Sequence, residues 1–101
     1  LLGLVELSDS RNNLTLFIAC IDNALKGNDS VTVESGNIVL ISRGGDGIKT
    51  SNSDISDKGN QRGDISILGG RVDIYSACDG IDASHDVTIE GEAVLNIYTD
   101  K

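Results

Sequence analysis

Apolar and polar residues alternate along three stretches of the chain, and each stretch breaks at an equivalent place. The first runs Val31-Thr32-Val33-Glu34-Ser35-Gly36-Asn37-Ile38-Val39-Leu40-Ile41-Ser42. The second runs Ile65-Ser66-Ile67-Leu68-Gly69-Gly70-Arg71-Val72-Asp73-Ile74-Tyr75-Ser76. The third runs Val87-Thr88-Ile89-Glu90-Gly91-Glu92-Ala93-Val94-Leu95-Asn96-Ile97-Tyr98-Thr99. A period of two is that of a half-buried strand. The glycines at the break predict a tight turn into a second strand. The third copy is one residue longer, and a bulge near Leu95 is expected to absorb it. Leu14-Thr15-Leu16-Phe17-Ile18 reads as the end of an earlier copy, and Leu1 to Asn13 as a partial strand or cap.

Between these strand pairs a short motif recurs as Asp46-Gly47-Ile48-Lys49 and Asp79-Gly80-Ile81-Asp82, with a degenerate copy at Asn23-Ala24-Leu25-Lys26. The spacing is 22 to 23 positions, apart from a polar insertion over 51–61. Repeats of this length make solenoids, in which no single repeat can bury its own apolar face. The expected fold is all-β: a right-handed parallel β-helix of about three to four coils, its hand set by the rule for parallel crossovers. Equivalent apolar residues then form ladders, Val33 with Ile67 and Ile89, Ile38 with Val72 and Val94, Leu40 with Ile74, and Leu25 with Ile48 and Ile81. The signatures of leucine-rich repeats and of the calcium-binding nonapeptide roll are missing.

Composition agrees with thin aliphatic layers: of 101 residues one is Phe, two are Tyr, and none is Trp or Met. That length is one domain, 1–101, and with Leu1 first the chain is expected to be a mature product or an excised piece. The net charge of −8 opposes nucleic acid and anionic membranes, since phosphate binding needs Lys and Arg. No apolar run reaches the ~20 residues of a membrane span. Cys20 and Cys78 lie in non-adjacent repeats and are expected to be free thiols.

The repeat sets acidic residues above one another. Asn23, Asp46 and Asp79 are expected to stack at one corner, with Asp64 and Asp86 as a second acidic step. Two carboxylates ~5 Å apart repel by ~1 kcal/mol in water and by more near a protein surface. A cation, a raised pKa or a nearby Lys or Arg must offset that, and calcium suits mixed carboxylate and carbonyl oxygens. The simpler reading is turn chemistry, the Asp side chain capping the next backbone group. Asp82 is expected to pair with Lys49, and His85 alone makes no metal centre.

The stretch from about Asp22 to Thr99 resembles a family of bacterial surface carbohydrate-binding domains, right-handed parallel β-helices similar in shape to pectate lyases. The residues that carry the resemblance are Asn23-Ala24-Leu25-Lys26, Gly45-Asp46-Gly47-Ile48-Lys49-Thr50, Asp64-Ile65-Ser66-Ile67-Leu68-Gly69-Gly70 and Cys78-Asp79-Gly80-Ile81-Asp82-Ala83. It implies an extracellular or cell-surface module that binds plant polysaccharide, cellulose or polygalacturonate, in association with calcium, and, family members being longer, a fragment of a longer helix. The expected metal ligands are Asp46, Asp79, Asn23, Asp64 and Asp86, and the expected sugar contacts Asp82, Lys49, Arg71 and Tyr75, with Tyr98 the other stacking candidate. A non-catalytic binding module is the leading reading, with calcium on Asp46 and Asp79 bridging it to an acidic polymer such as polygalacturonate in preference to cellulose. A structural or adhesin solenoid is the second, and a polysaccharide lyase using Arg43 or Arg71 as base the third. An exposed coil end also allows end-to-end pairing into a homodimer.

Overall fold

The structure, a computed structural model, describes residues 2–7 as backbone and residues 15–100 in full. It is all-β, with ten strands and no helix among the described residues. The strands are β1 Leu2–Leu7, β2 Thr15–Cys20, β3 Leu25–Val33, β4 Asn37–Ser42, β5 Ile48–Lys49, β6 Asp64–Ile67, β7 Arg71–Ser76, β8 Ile81–Asp82, β9 Val87–Ile89 and β10 Val94–Thr99.

Every pairing between these strands is parallel. A four-stranded sheet has the order β10-β7-β4-β2. A six-stranded sheet has the order β8-β5-β3-β6-β9, with β1 also on β3. The second sheet has two limbs, because β3 is shared. Its first residues, Leu25 and Lys26, pair with β5, and Ser30 to Val33 pair with β6. From β3 onward the chain visits the broad limb, the four-stranded sheet and the short limb in constant order, and then repeats. Parallel partners must lie a full circuit apart in sequence.

Alternation does the rest. Val31, Val33, Ile38, Leu40, Ile48, Ile65, Ile67, Val72 and Ile74 turn inward and are at most 1% exposed. Full burial of each contributes about 1.5–3 kcal/mol. The glycines of the repeated motif leave room for this core. A Cβ on Gly47 would strike Ile74 Cγ2 and the Gly80 carbonyl, and one on Gly80 would strike Ile97 Cγ2.

The expected ladders form with one correction. Leu95, not Val94, pairs with Val72 and so continues the Ile38 ladder; Val94 pairs with Arg71. The extra residue of the third copy lies in the turn before β10, where residues 90–93 do the work of 68–70. A turn takes the insertion without reversing any side chain, whereas a shift of one within the strand would turn every following residue over. The register does shift elsewhere, between β1 and β3, where Leu2 to Leu4 run opposite Gly27 to Ser30, one residue more. Of the opening segment, 2–7 is a strand, and the remainder lies outside the described residues. Cys20 and Cys78 are both free thiols.

Candidate functional site

At the corner before each short strand, a polar side chain of one circuit holds the backbone of the next. Asn23 Oδ1 accepts the Asp46 N–H at 2.9 Å, and Asp46 Oδ1 accepts the Asp79 N–H at 2.9 Å. Inward Ser42 steers the chain into the corner by accepting the Gly45 N–H. Asn23, Asp46 and Asp79 are thus stacked as expected, and two of them cap the backbone. Asp46 is only 7% exposed, so this cap is part of the core wall.

Asp82 completes the group: carboxylate oxygens of Asp46, Asp79 and Asp82 lie within 4.8 Å of one another. Lys49 Nζ stands 2.7 Å from Asp82 Oδ2 and 3.8 Å from Asp46 Oδ2. Burial raises the Asp46 pKa, and the charges of Asp82 and Asp79 push the same way, against the bond from the Asp79 amide. The Lys49 hydrogen bond holds Asp82 below its ordinary value, and Asp82 in turn raises Lys49. Two of the three expected means of offsetting carboxylate repulsion are therefore present. One ammonium does not balance three carboxylates, and the oxygen donor set fits a hard cation such as calcium, for which Lys49 is a competitor.

Asp64 and Asp86 belong to another place. With His85 they form a second group, at the foot of β6 and β9, whose ligand atoms lie within 4.8 Å of one another. His85 is exposed, as expected, yet its Nδ1 stands 2.7 Å from Asp64 Oδ1 and 3.5 Å from Asp86 Oδ2. The Asp64 hydrogen bond raises the His85 pKa above its ordinary 6.5. A raised folded pKa stabilises the fold fully below about 6.5, and that contribution is lost as pH rises through the folded value. His85 is the chain's single histidine, so its ring proton signals titrate alone in an NMR series. The midpoint is expected above 6.5 and should fall toward that value in Asp64→Asn.

The expected sugar contacts also separate. Lys49 and Asp82 sit on the short limb, whereas Arg71 and Tyr75 sit on the outer face of the four-stranded sheet. That face carries all three aromatic residues of the chain, Phe17, Tyr75 and Tyr98, which are 64%, 46% and 57% exposed. Tyr75 pairs with Tyr98 in register, and their rings stack with centroids 5.0 Å apart and planes 13° apart. Beside them Asp73 accepts from Arg71 Nε at 3.0 Å and from Asn96 Nδ2 at 2.8 Å. The Asn96 bond first, and Arg71 second, hold the Asp73 pKa below its ordinary value. A hollow of about 320 Å³ opens along the tyrosines toward Arg43 and Asp100.

A flat surface with rings for the apolar edges of a ligand and fixed polar groups for its hydroxyls is what a sugar polymer requires. A family described as carbohydrate-binding domain-containing protein matches residues 11–101. The chain belongs to this family. Comparison with curated proteins gives no match, and comparison with solved structures gives none. Membership makes the chain a carbohydrate-binding domain, as the resemblance in its sequence implies, with a polysaccharide as partner. Phe17, Asp73 and Asn96 share the outer face with the tyrosines and were not singled out from the sequence. Their signal was their place in the period: each falls on an outward position of its strand.

Proposed function

We propose that the chain is a non-catalytic, extracellular or cell-surface module that binds a neutral β-linked polysaccharide of the cellulose type along the outer face of the four-stranded sheet. One observation carries this reading. A chain with three aromatic residues exposes all of them on one face, although burial is where aromatic area contributes most to stability. Polar Asp73, Asn96 and Arg71 lie among them, fixed by their mutual hydrogen bonds. Parallel pairing throughout, with the same order of visits in each circuit, supports a right-handed parallel β-helix as the frame. Exposed Ile89 and Ile97 on β9 and β10 offer a surface for strand pairing, with a second copy or with further chain.

The clustering of Asp46, Asp79 and Asp82 favours a second reading, in which calcium bridges the domain to polygalacturonate. Asp46, Asp79 and Asp82 would hold the ion, with Asn23 fixing the corner beneath them. Bound calcium would supply the positive charge that an acidic polymer needs to approach a chain of charge −8. A lyase has less support. Arg71 is engaged by Asp73, and Lys49 by Asp82 on a different sheet.

Depletion from solution onto insoluble cellulose and onto polygalacturonate gel, with calcium and then with a chelator, tests the proposal. Retention on cellulose that a chelator leaves unchanged is expected. Retention on the acidic gel alone, lost with the chelator and in Asp79→Ala, would replace the first reading with the second. No retention on either polymer defeats both.

A further inference from the structure

We propose a second saccharide site, in the cleft that the loop between β5 and β6 forms against the start of the broad limb, for a neutral, hydroxyl-rich sugar unit. The inference rests on the carbohydrate-binding reading but uses none of the same residues. The link from β5 to β6 takes residues 50–63, whereas the equivalent link from β8 to β9 takes residues 83–86. A mere connection needs only the shorter length, so the longer one builds something. It leaves where the short limb meets the broad limb, the one corner that the four-stranded sheet does not touch. The cleft therefore lies across the molecule from the tyrosines.

The loop is held in a defined shape. Ile55 and Gln61 form an antiparallel bridge, and the Ser56 N–H donates to the Asn60 carbonyl at 2.8 Å. Arg62 binds Asp54 through Nη1 at 3.1 Å, and its Nε stands 3.7 Å from Asp29 on β3. Asn52 Nδ2 donates to the other side of Asp29 at 2.7 Å. Shape fixed before binding lowers the ordering cost that a ligand must meet. The cleft measures about 400 Å³, within the range of small-ligand sites.

The lining decides the ligand. Asp29, Asp57, Lys58 and Arg62 contribute two negative and two positive groups, and Asn60 and Gln61 add amides that both donate and accept. No aromatic or branched aliphatic side chain contributes. An apolar ligand finds no apolar side chain there, and an anion meets two carboxylates. Sugar hydroxyls, each a donor and an acceptor, match every group present. Asp57, Lys58 and the side-chain amide of Asn60, whose backbone N–H donates to Ser56 Oγ, have no side-chain hydrogen bond or ion pair among the described residues, so they are free to receive a ligand without first breaking a contact.

The test is a calorimetric titration of the full chain with a four-unit fragment of cellulose. Two sites per chain are expected. Asp57→Ala with Asn60→Ala should weaken one at least tenfold and leave the melting temperature unchanged, because neither side chain supports the fold; Tyr75→Ala with Tyr98→Ala should weaken the other roughly thirtyfold. A single site untouched by the cleft changes overturns the proposal and leaves the sheet face standing. A single site lost with the cleft changes upholds the proposal and removes the sheet face. No heat from the unaltered chain sinks both.

Discussion

Ile74→Ala is expected to cost about 4 kcal/mol of stability, whereas Ile97→Ala in the same ladder costs at most about 1.5 kcal/mol. Leu40, Ile74 and Ile97 pair in register through β4, β7 and β10, so chemistry and backbone setting are alike. Position along the ladder is what differs. Ile74 is fully buried between its neighbours and fills the space that Gly47 leaves open, whereas Ile97 is 41% exposed at the end. Removing three carbons from a site that cannot collapse forfeits both their transfer free energy and the contacts of the cavity wall. In a repeat structure each layer is stabilised chiefly by its neighbours, so the central residue loses two interfaces and the terminal one loses one. Urea melts of the two variants check this. A fall in midpoint of about 2 M for Ile74→Ala follows from a slope near 2 kcal/mol per M. Equal falls for both would mean that the ladder is not the source of the stability.

Most of the fold was legible because a repeat states its register several times over. The ladders of Val33, Ile67 and Ile89 and of Leu25, Ile48 and Ile81 follow from spacing alone, and pairing confirms them. Glycine at 47 and 80 was legible as a motif, while its reason, the isoleucine packed against it, needed coordinates. The bulge near Leu95 was misplaced because sequence shows that a residue is extra without showing whether turn or strand absorbs it. At the acidic corner, stacking of Asp46 on Asp79 was predictable. The outcome of their repulsion was not, because it depends on where one flexible lysine ends, and Lys49 ends between Asp82 and Asp46. Asp64 and Asp86 were legible as a second acidic step, but the closeness of His85 to both was not. They lie at the start of the broad-limb strands, so a different link of the chain holds them. Of the aromatic face, Tyr75 and Tyr98 were legible as stacking candidates, and Phe17 was not. Phe17 and Tyr98 stand 81 positions apart and in unlike surroundings, and only the pairing of β2, β4, β7 and β10 brings them to one side.

That face carries the central claim, and loss of its two tyrosines is the most direct trial of it. Stacking occupies one side of each ring and leaves the other sides, the edges and the hydroxyls for a ligand. An aromatic contact of good geometry is worth about 0.5–1.5 kcal/mol beyond the area it covers. Removal of both rings should therefore cost about 2 kcal/mol of binding, roughly thirtyfold in affinity. Both side chains are largely exposed, so the fold should lose little, and Tyr75→Phe with Tyr98→Phe should keep most of the affinity because the stacked surface remains. The measurement is the affinity for the bound polymer of unaltered chain, double alanine variant and double phenylalanine variant, alongside their melting temperatures. The account predicts a roughly thirtyfold loss for the alanine pair at near-constant melting temperature. An alanine pair that binds within twofold of the unaltered chain contradicts it, and the polysaccharide must then be held elsewhere.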